Sequence, residues 1–525
     1  MCTVVVHDPH LLEPQDASAD EEEDEAEMVP RSEPGPEPGP EPGPEPGPET
    51  WVRRTRRRAE AFGQFVGPGF MVSVAYIDPG NYATDVAAGA SQQFALLFVV
   101  LASNLAAILL QSLAARLGTV TGLDLAAVCR ARLPRWLNLS LYVLAEVAII
   151  ATDLAEVMGT AVALNLLFPA LPLIAGCALA VVDVMAVLVF YRPEGAMRGL
   201  RAFEALVSLL VVGVVVCFGL QLAMLRGKTT VGHVFRGYLP SSVLVKPQAL
   251  YQACGILGAT VMPHGLYLGS GIVQPRLREF DAANGLLPRS PGPEADDGAK
   301  VAYVPSLKAV RHSLVYSVIE LVLLLCTLAL FVNSAILIVA GISLYGTPGA
   351  ADADLFGIHD LLSRVVSPVA GTIFALALLL SGLSAGIVCT ISGQMVCEGA
   401  LRWRVKPWLR RLITRSISVV PALFISAAVG RRGLATALNA SQVVLSVVLP
   451  FVSLPLIYFT SRTRYMTVEP GAARYVRDAD DEGPAAVGGV DMSNSWWVIV
   501  VAVFIWLVIA VMNVANIVLL AMGKS

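Results

Sequence analysis

The chain has 525 residues, of which 55% are hydrophobic and only 15% charged, where soluble domains carry about 25% charged residues. So few charges cannot solvate so much apolar surface in water, and the apolar residues gather into runs such as 137–167 and 496–520, each longer than the roughly 20 residues that cross a bilayer as a helix. This is the composition of an all-α, polytopic membrane protein, and soluble multidomain folds, secreted disulfide scaffolds and nucleic-acid binding fit it poorly.

The net charge of −4 is unevenly spread. Residues 1–61 hold 16 acids and 6 bases, for −10, and the rest hold 25 acids and 31 bases, for +6. The first 61 residues carry the acidic run Asp20–Glu27 and then four Glu-Pro-Gly-Pro units starting at Glu33, Glu37, Glu41 and Glu45. Such a segment cannot bury a core, and a disordered cytoplasmic tail is expected. His7, Asp8 and His10 stand where a secretory leader has a basic stretch, so the first membrane helix is expected to direct insertion.

Residues 62–525 read as one transmembrane domain with about eleven spans, near 62–90, 94–117, 137–166, 171–190, 203–225, 250–273, 313–340, 368–397, 409–429, 435–458 and 496–520. Gly285–Lys300, with Pro288, Pro291 and Pro293, reads as a flexible cytoplasmic insertion. With the N-terminus in the cytoplasm, the inner segments hold 27 Lys and Arg and the outer segments 8, as the positive-inside rule requires. An odd number of spans then leaves the C-terminus outside. All eight cysteines fall in cytoplasm or membrane, so no structural disulfide is expected. The sequons at Asn138 and Asn439 fall at an inner edge and inside a span, out of reach of glycosylation.

The first span contains Asp78-Pro79-Gly80-Asn81. Pro79 removes a backbone donor and Gly80 relaxes the turn, which predicts a helix broken there. Asp78 in hydrocarbon is costly unless a cation meets it; a kink with a satisfied polar patch is the plainer reading. A second interruption, Met262-Pro263-His264, lies in the sixth span, and Pro263 releases the carbonyl of Ala259 as a potential ligand. Breaks at corresponding places five spans apart point to a transporter with an inverted repeat and a site near the midplane, although the halves show no residue-level self-similarity. Asp78, the Asn81 amide oxygen and the Ala259 carbonyl are hard donors for many cations. Met262 discriminates, because a thioether favours transition metals over calcium or magnesium. Core packing explains most methionines, but Met262 adjoins the helix-breaking Pro263.

In the third span Glu146, Asp153 and Glu156 share one helical face, as in a proton relay or a set of partners for buried cations. Arg415, just inside the ninth span, is a candidate partner. His264 titrates near physiological pH and is a candidate proton carrier, with a hydrogen-bonded packing role as the alternative. Asp183 and Glu320 lack partners in the sequence pattern and read as structural.

These residues resemble the Nramp family of proton-coupled divalent metal transporters. The likeness rests on Asp78-Pro79-Gly80-Asn81, Met262-Pro263-His264, Asp153 with Glu156 in span three, and Ser441-Gln442 in span ten, and runs from about 62 to 520. The segment from Met262 to Asp281 looks most like fungal members. The resemblance implies a LeuT-like 5+5 inverted repeat with helices 1 and 6 broken. It also implies a metal shell of Asp78, Asn81, Met262 and the Ala259 carbonyl, joined in some conformations by Gln442. The proton route would include Asp78, His264, Asp153, Glu156 and Glu146, with Arg415. Many family members carry a second histidine where this chain has Gly269, so a role assigned to that histidine does not carry over.

The function expected is therefore no enzyme activity but symport of manganese or ferrous iron with protons toward the cytoplasm, in the plasma membrane or an endosomal or vacuolar one. The metal is cargo, and no resident cofactor, nucleic acid or protein partner is implied. An ATP-driven pump is disfavoured, because no phosphate-cradling Gly-rich motif is evident. A magnesium transporter on this scaffold is opposed by Met262. A membrane sensor without transport would be expected to carry a soluble output domain, and an amino-acid symporter would present main-chain amides, not an aspartate and a thioether, to its substrate.

Overall fold

The computed structural model describes residues 67–188, 197–287, 302–347, 355–401, 430–476 and 488–523, with scattered positions between 409 and 424. The expected tail 1–61, most of the 285–300 insertion and most of span nine, Arg415 included, lie outside the described residues.

Span one is two short helices, α1 (Pro68–Val74) and α2 (Pro79–Gln92). Span two is α3 (Leu97–Thr121), followed by a short α4 (Leu125–Arg132), and span three is the long α5 (Arg135–Leu167). Spans four and five are α6 (Leu173–Leu188) and α7 (Met197–Met224), with a short α8 (Val231–Arg236) after them. Span six is again double, α9 (Pro247–Thr260) and α10 (Pro263–Gly271), followed by α11 (Gln274–Ala283). Span seven runs through α12 (Leu307–Leu324), a π-helical turn (Leu325–Ala329) and α13 (Leu330–Ser343). After α14 (Leu355–Val365), spans eight, ten and eleven are α15 (Pro368–Leu401), α16 (Gly430–Thr460) and α17 (Trp496–Ala521). Eight of these stretches are long and apolar enough to cross a membrane. Among the three expected spans outside that number, the first is broken, the fourth is described over only 16 residues, and the ninth is described only at scattered positions.

The helix boundaries follow local chemistry. Asp78 is extended (φ −112°, ψ 166°) and caps α2 by accepting the Asn81 N–H at 2.9 Å, with Pro79 at the first helical position. Between the halves of span one the N–H groups of Ala75, Tyr76 and Ile77 bond three residues back, to Val72, Ser73 and Val74. The carbonyls of Tyr76 and Ile77 then need other donors. Asn333 Nδ2 on α13 supplies one at 3.1 Å and Ser381 Oγ on α15 the other at 2.6 Å, so the unwound backbone is satisfied by protein at membrane depth.

At the core, α5 packs on α15 and α16, while α2 packs on α13 and α9. The last helix is peripheral: Trp496, Trp497, Phe504 (64% exposed) and Val511 face outward, a surface for lipid rather than water. Two small antiparallel ribbons, unforeseen in an all-α reading, tie loops together. β1 (Ala302–Val304) pairs with β3 (Arg474–Val476), and β2 (Thr467–Val468) with β4 (Val490–Asp491).

Candidate cation site at the helix breaks

Asp78, Asn81, Ala259, Met262 and Gln442 are all at most 1% exposed. The Asn81 amide bridges the two breaks: its Nδ2 donates to Asp78 Oδ1 at 2.6 Å and to the Ala259 carbonyl at 3.2 Å. The carbonyl that Pro263 takes out of the helical ladder is thus turned toward span one. Met262 is the N-cap residue of α10 in extended conformation (φ −69°, ψ 126°) and contributes no capping hydrogen bond, as expected of a thioether.

Gln442 reaches the site from α16. A β-carbon on Gly80 would stand 2.4 Å from the Gln442 amide carbon, and one on Gly258 only 2.0 Å from the Gln442 main-chain oxygen. Glycine at both positions lets α16 close on α2 and α9, placing the glutamine amide over the start of α2. Its Nε2 donates to Ser441 Oγ at 3.0 Å.

Three oxygens remain without a donor: Asp78 Oδ2, Asn81 Oδ1 and Gln442 Oε1. A buried acceptor left unpaired costs about 1–3 kcal/mol, and more when charged, so the group is several kcal/mol short of balance. The deficit is one of positive charge at oxygen, which a cation or protons fill.

His264, the second residue of α10, is buried and its Nδ1 lies 3.3 Å from Thr152 Oγ1. The helix break and α5 therefore meet one residue from Asp153. Asp153 and Glu156 are buried (3% and 2% exposed) and Glu146 is partly exposed at the far end of the acid face. Sequence reasoning missed the thiols of α15 that accompany them. Cys397 Sγ donates to Glu146 Oε1 at 3.0 Å, and Cys389 approaches Asp153 and Glu156. None of the seven described cysteines is in a disulfide.

Gly269 also has a clear setting. A β-carbon there would lie 2.1 Å from Gln111 Oε1, so a buried glutamine of α3 occupies the space beside it.

Three further acids depart from or add to the sequence reading. Glu320, read as lacking partners, is buried and accepts the Gly67 N–H at 2.7 Å, pinning the start of α1. Beside it lies a buried ion pair, Arg276 to Glu204, at 2.6 Å; the acids Glu204 and Glu320 within apolar spans five and seven were the available signal. Asp85, two turns beyond Asp78 on α2, is fully buried with neither carboxylate oxygen hydrogen-bonded. The side chain of Asp183 lies outside the described residues.

A helical membrane bundle whose first and sixth spans break opposite each other around orphaned oxygens has the LeuT-like architecture of a secondary transporter. The family model for Nramp, natural resistance-associated macrophage protein-like, matches residues 69–469, and the chain belongs to this family. It is 49% identical over 499 residues to the manganese transporter SMF1 of Saccharomyces cerevisiae, covering 88% of this chain and 86% of that one. It is also 49% identical to the iron transporter SMF3 of the same yeast, over 86% of this chain and 95% of the relative. Among solved structures, a manganese transporter of Eremococcus coleocola bound to an aromatic bis-isothiourea compound superposes with a TM-score of 0.69 at 30% identity, covering 88% of this chain and 87% of that one.

Proposed function

We propose that the chain moves divalent manganese or iron through a membrane toward the cytoplasm, by alternating access and in symport with protons. The observation that carries this reading is the set of unpaired oxygens at the facing breaks. Asp78, Asn81, the Ala259 carbonyl and Met262 form the metal shell, with Gln442 as a further oxygen donor. The names of the yeast and bacterial relatives support manganese and iron as cargo.

Asp78 supplies one negative charge against two positive, so the loaded site keeps a net +1. Moving that charge with the membrane potential gains about 2.3 kcal/mol per 100 mV. On metal arrival Asn81 turns its free oxygen to the ion and gives up its bond to Ala259, whose carbonyl becomes a ligand in turn. A proton displaced from Asp78 passes by way of His264 to Asp153 and Glu156 and on toward Glu146, with Arg415 as their cationic partner. The chain is a carrier and not an enzyme, and it resides in the plasma membrane or an endosomal or vacuolar one with its N-terminus in the cytoplasm.

The test is uptake into proteoliposomes, comparing manganese, iron, zinc, calcium and magnesium with and without an inward proton gradient. Manganese and iron uptake that rises with the gradient is expected. Uptake of calcium or magnesium in preference, or indifference of manganese uptake to the gradient, contradicts the respective half of the reading.

A further inference from the structure

A second group of ligand-type side chains lies between α5 and α15, beside the first break. Two close approaches set the register of this antiparallel pair. A β-carbon on Gly382 would stand 2.2 Å from Thr160 Oγ1, and one on Gly393 would stand 3.6 Å from Ile149. Advancing along α15 from Gly382 to Gly393 therefore retreats along α5 by the same number of residues, and the position opposite Cys389 is Asp153. On α5 the residues Ile149, Asp153, Glu156 and Thr160 form one stripe at helical spacing, so Glu156 joins Asp153 on the contact face. The Cys389 sulfur sits 3.9 Å from the Ile149 carbonyl. One ligand atom from each of Asp153, Glu156 and Cys389 lies within 4.8 Å of the other two, and all three residues are buried.

The group adjoins the first break. Pro79 would touch a β-carbon on Gly159 at 2.2 Å, and Gly159 is three residues from Glu156. Asp78, with its unpaired Oδ2, directly precedes Pro79.

We infer that Asp153, Glu156 and Cys389 form a second cation site, separate from the one at the breaks, which takes thiophilic divalent ions such as cadmium and zinc. Two oxygens and a sulfur with one position open is the ligand count of an accessible zinc-type centre. Metal–ligand distances of about 2.0–2.3 Å in a tetrahedron place ligand atoms about 3.3–3.7 Å apart, so side-chain movements of about 1 Å close the site. A thiolate selects softer ions than the oxygen-rich shell at the breaks, which has only a thioether. An ion held here occupies both buried acids of α5. On the proposed function it therefore also acts as a brake on proton movement; binding itself does not depend on that reading.

The test is titration of the full chain in detergent micelles with cadmium, followed by ultraviolet thiolate-to-cadmium charge-transfer absorption, which neither a thioether nor a carboxylate produces. A band saturating near one cadmium per chain is expected. Cys389→Ala abolishes it, Cys397→Ala and Asp78→Ala retain it, and Asp153→Asn or Glu156→Gln raises the half-saturation concentration by about tenfold or more. Cys389→Ser is the control for folding: it elutes like the wild type and still binds manganese, yet gives no band. An unchanged band in Cys389→Ala, or no band in folded wild type, overturns the site. Failure of the metal-transport reading shows separately, as an absence of manganese uptake with the cadmium band intact.

Discussion

Gly80→Ala is the most informative single change, because its steric consequence can be traced atom by atom. The new β-carbon would stand 2.4 Å from Gln442 Cδ and Nε2 and 2.6 Å from Oε1. Van der Waals contact needs about 1 Å more than this. The Gln442 backbone cannot supply that ångström, since α16 already touches α9 where Gly258 faces the Gln442 carbonyl. The side chain must instead rotate away from the start of α2. On the proposed function this removes one neutral oxygen donor from the ion, which costs about 1–1.4 kcal/mol, a loss of roughly 5- to 10-fold in manganese affinity. Calorimetric titration of wild type, Gly80→Ala, Gln442→Ala and the double variant resolves this. Each single variant is expected to weaken binding by a similar factor and the double variant to be no weaker than Gln442→Ala. That implies a coupling of about 1 kcal/mol, beyond the roughly 0.3–0.5 kcal/mol within which independent sites add. Additive losses, or wild-type affinity in Gly80→Ala, refute the claim that the glycine exists to admit the glutamine.

Met262→Ala is expected to retain some manganese uptake while calcium becomes an effective competitor; calcium exclusion as good as in the wild type removes the thioether as a selectivity element. Asp78→Ala leaves the oxygen cluster without charge and should abolish uptake in protein that still elutes as folded. Glu320→Ala strips the Gly67 N–H of its acceptor. A hydrogen bond to a carboxylate contributes about 1.5–3 kcal/mol, so hydrogen exchange in a peptide spanning Pro68–Val74 should quicken by roughly one to two orders of magnitude. Unchanged protection there shows that Glu320 does not hold α1.

Much of the fold was legible because it is local. Hydropathy located the described spans to within about six residues, and Pro79 and Pro263 marked both breaks, since the missing N–H acts on its own chain within four residues. For the same reason Asp78, Asn81 and the Ala259 carbonyl, which one amide links across the breaks, stood out in the sequence as candidate donors. What escaped depends on which helix touches which. The seating of Gln442 between Gly80 and Gly258, the thiols of α15 against the acids of α5, and the capture of the Gly67 N–H by Glu320 are set by interhelical register. A helix's own periodicity does not encode that register. The π turn after α12 and the two ribbons escaped too, as each is a tertiary adjustment to neighbours distant in sequence.

The central claim is that both unwound stretches ligate one dication. Anomalous scattering from crystals of the full chain soaked in manganese tests it most directly. The account predicts one peak bounded by Asp78, the Asn81 oxygen, the Ala259 carbonyl and the Met262 sulfur. A manganese peak touching residues of only one break, or lying at another site while the breaks stay empty, contradicts it.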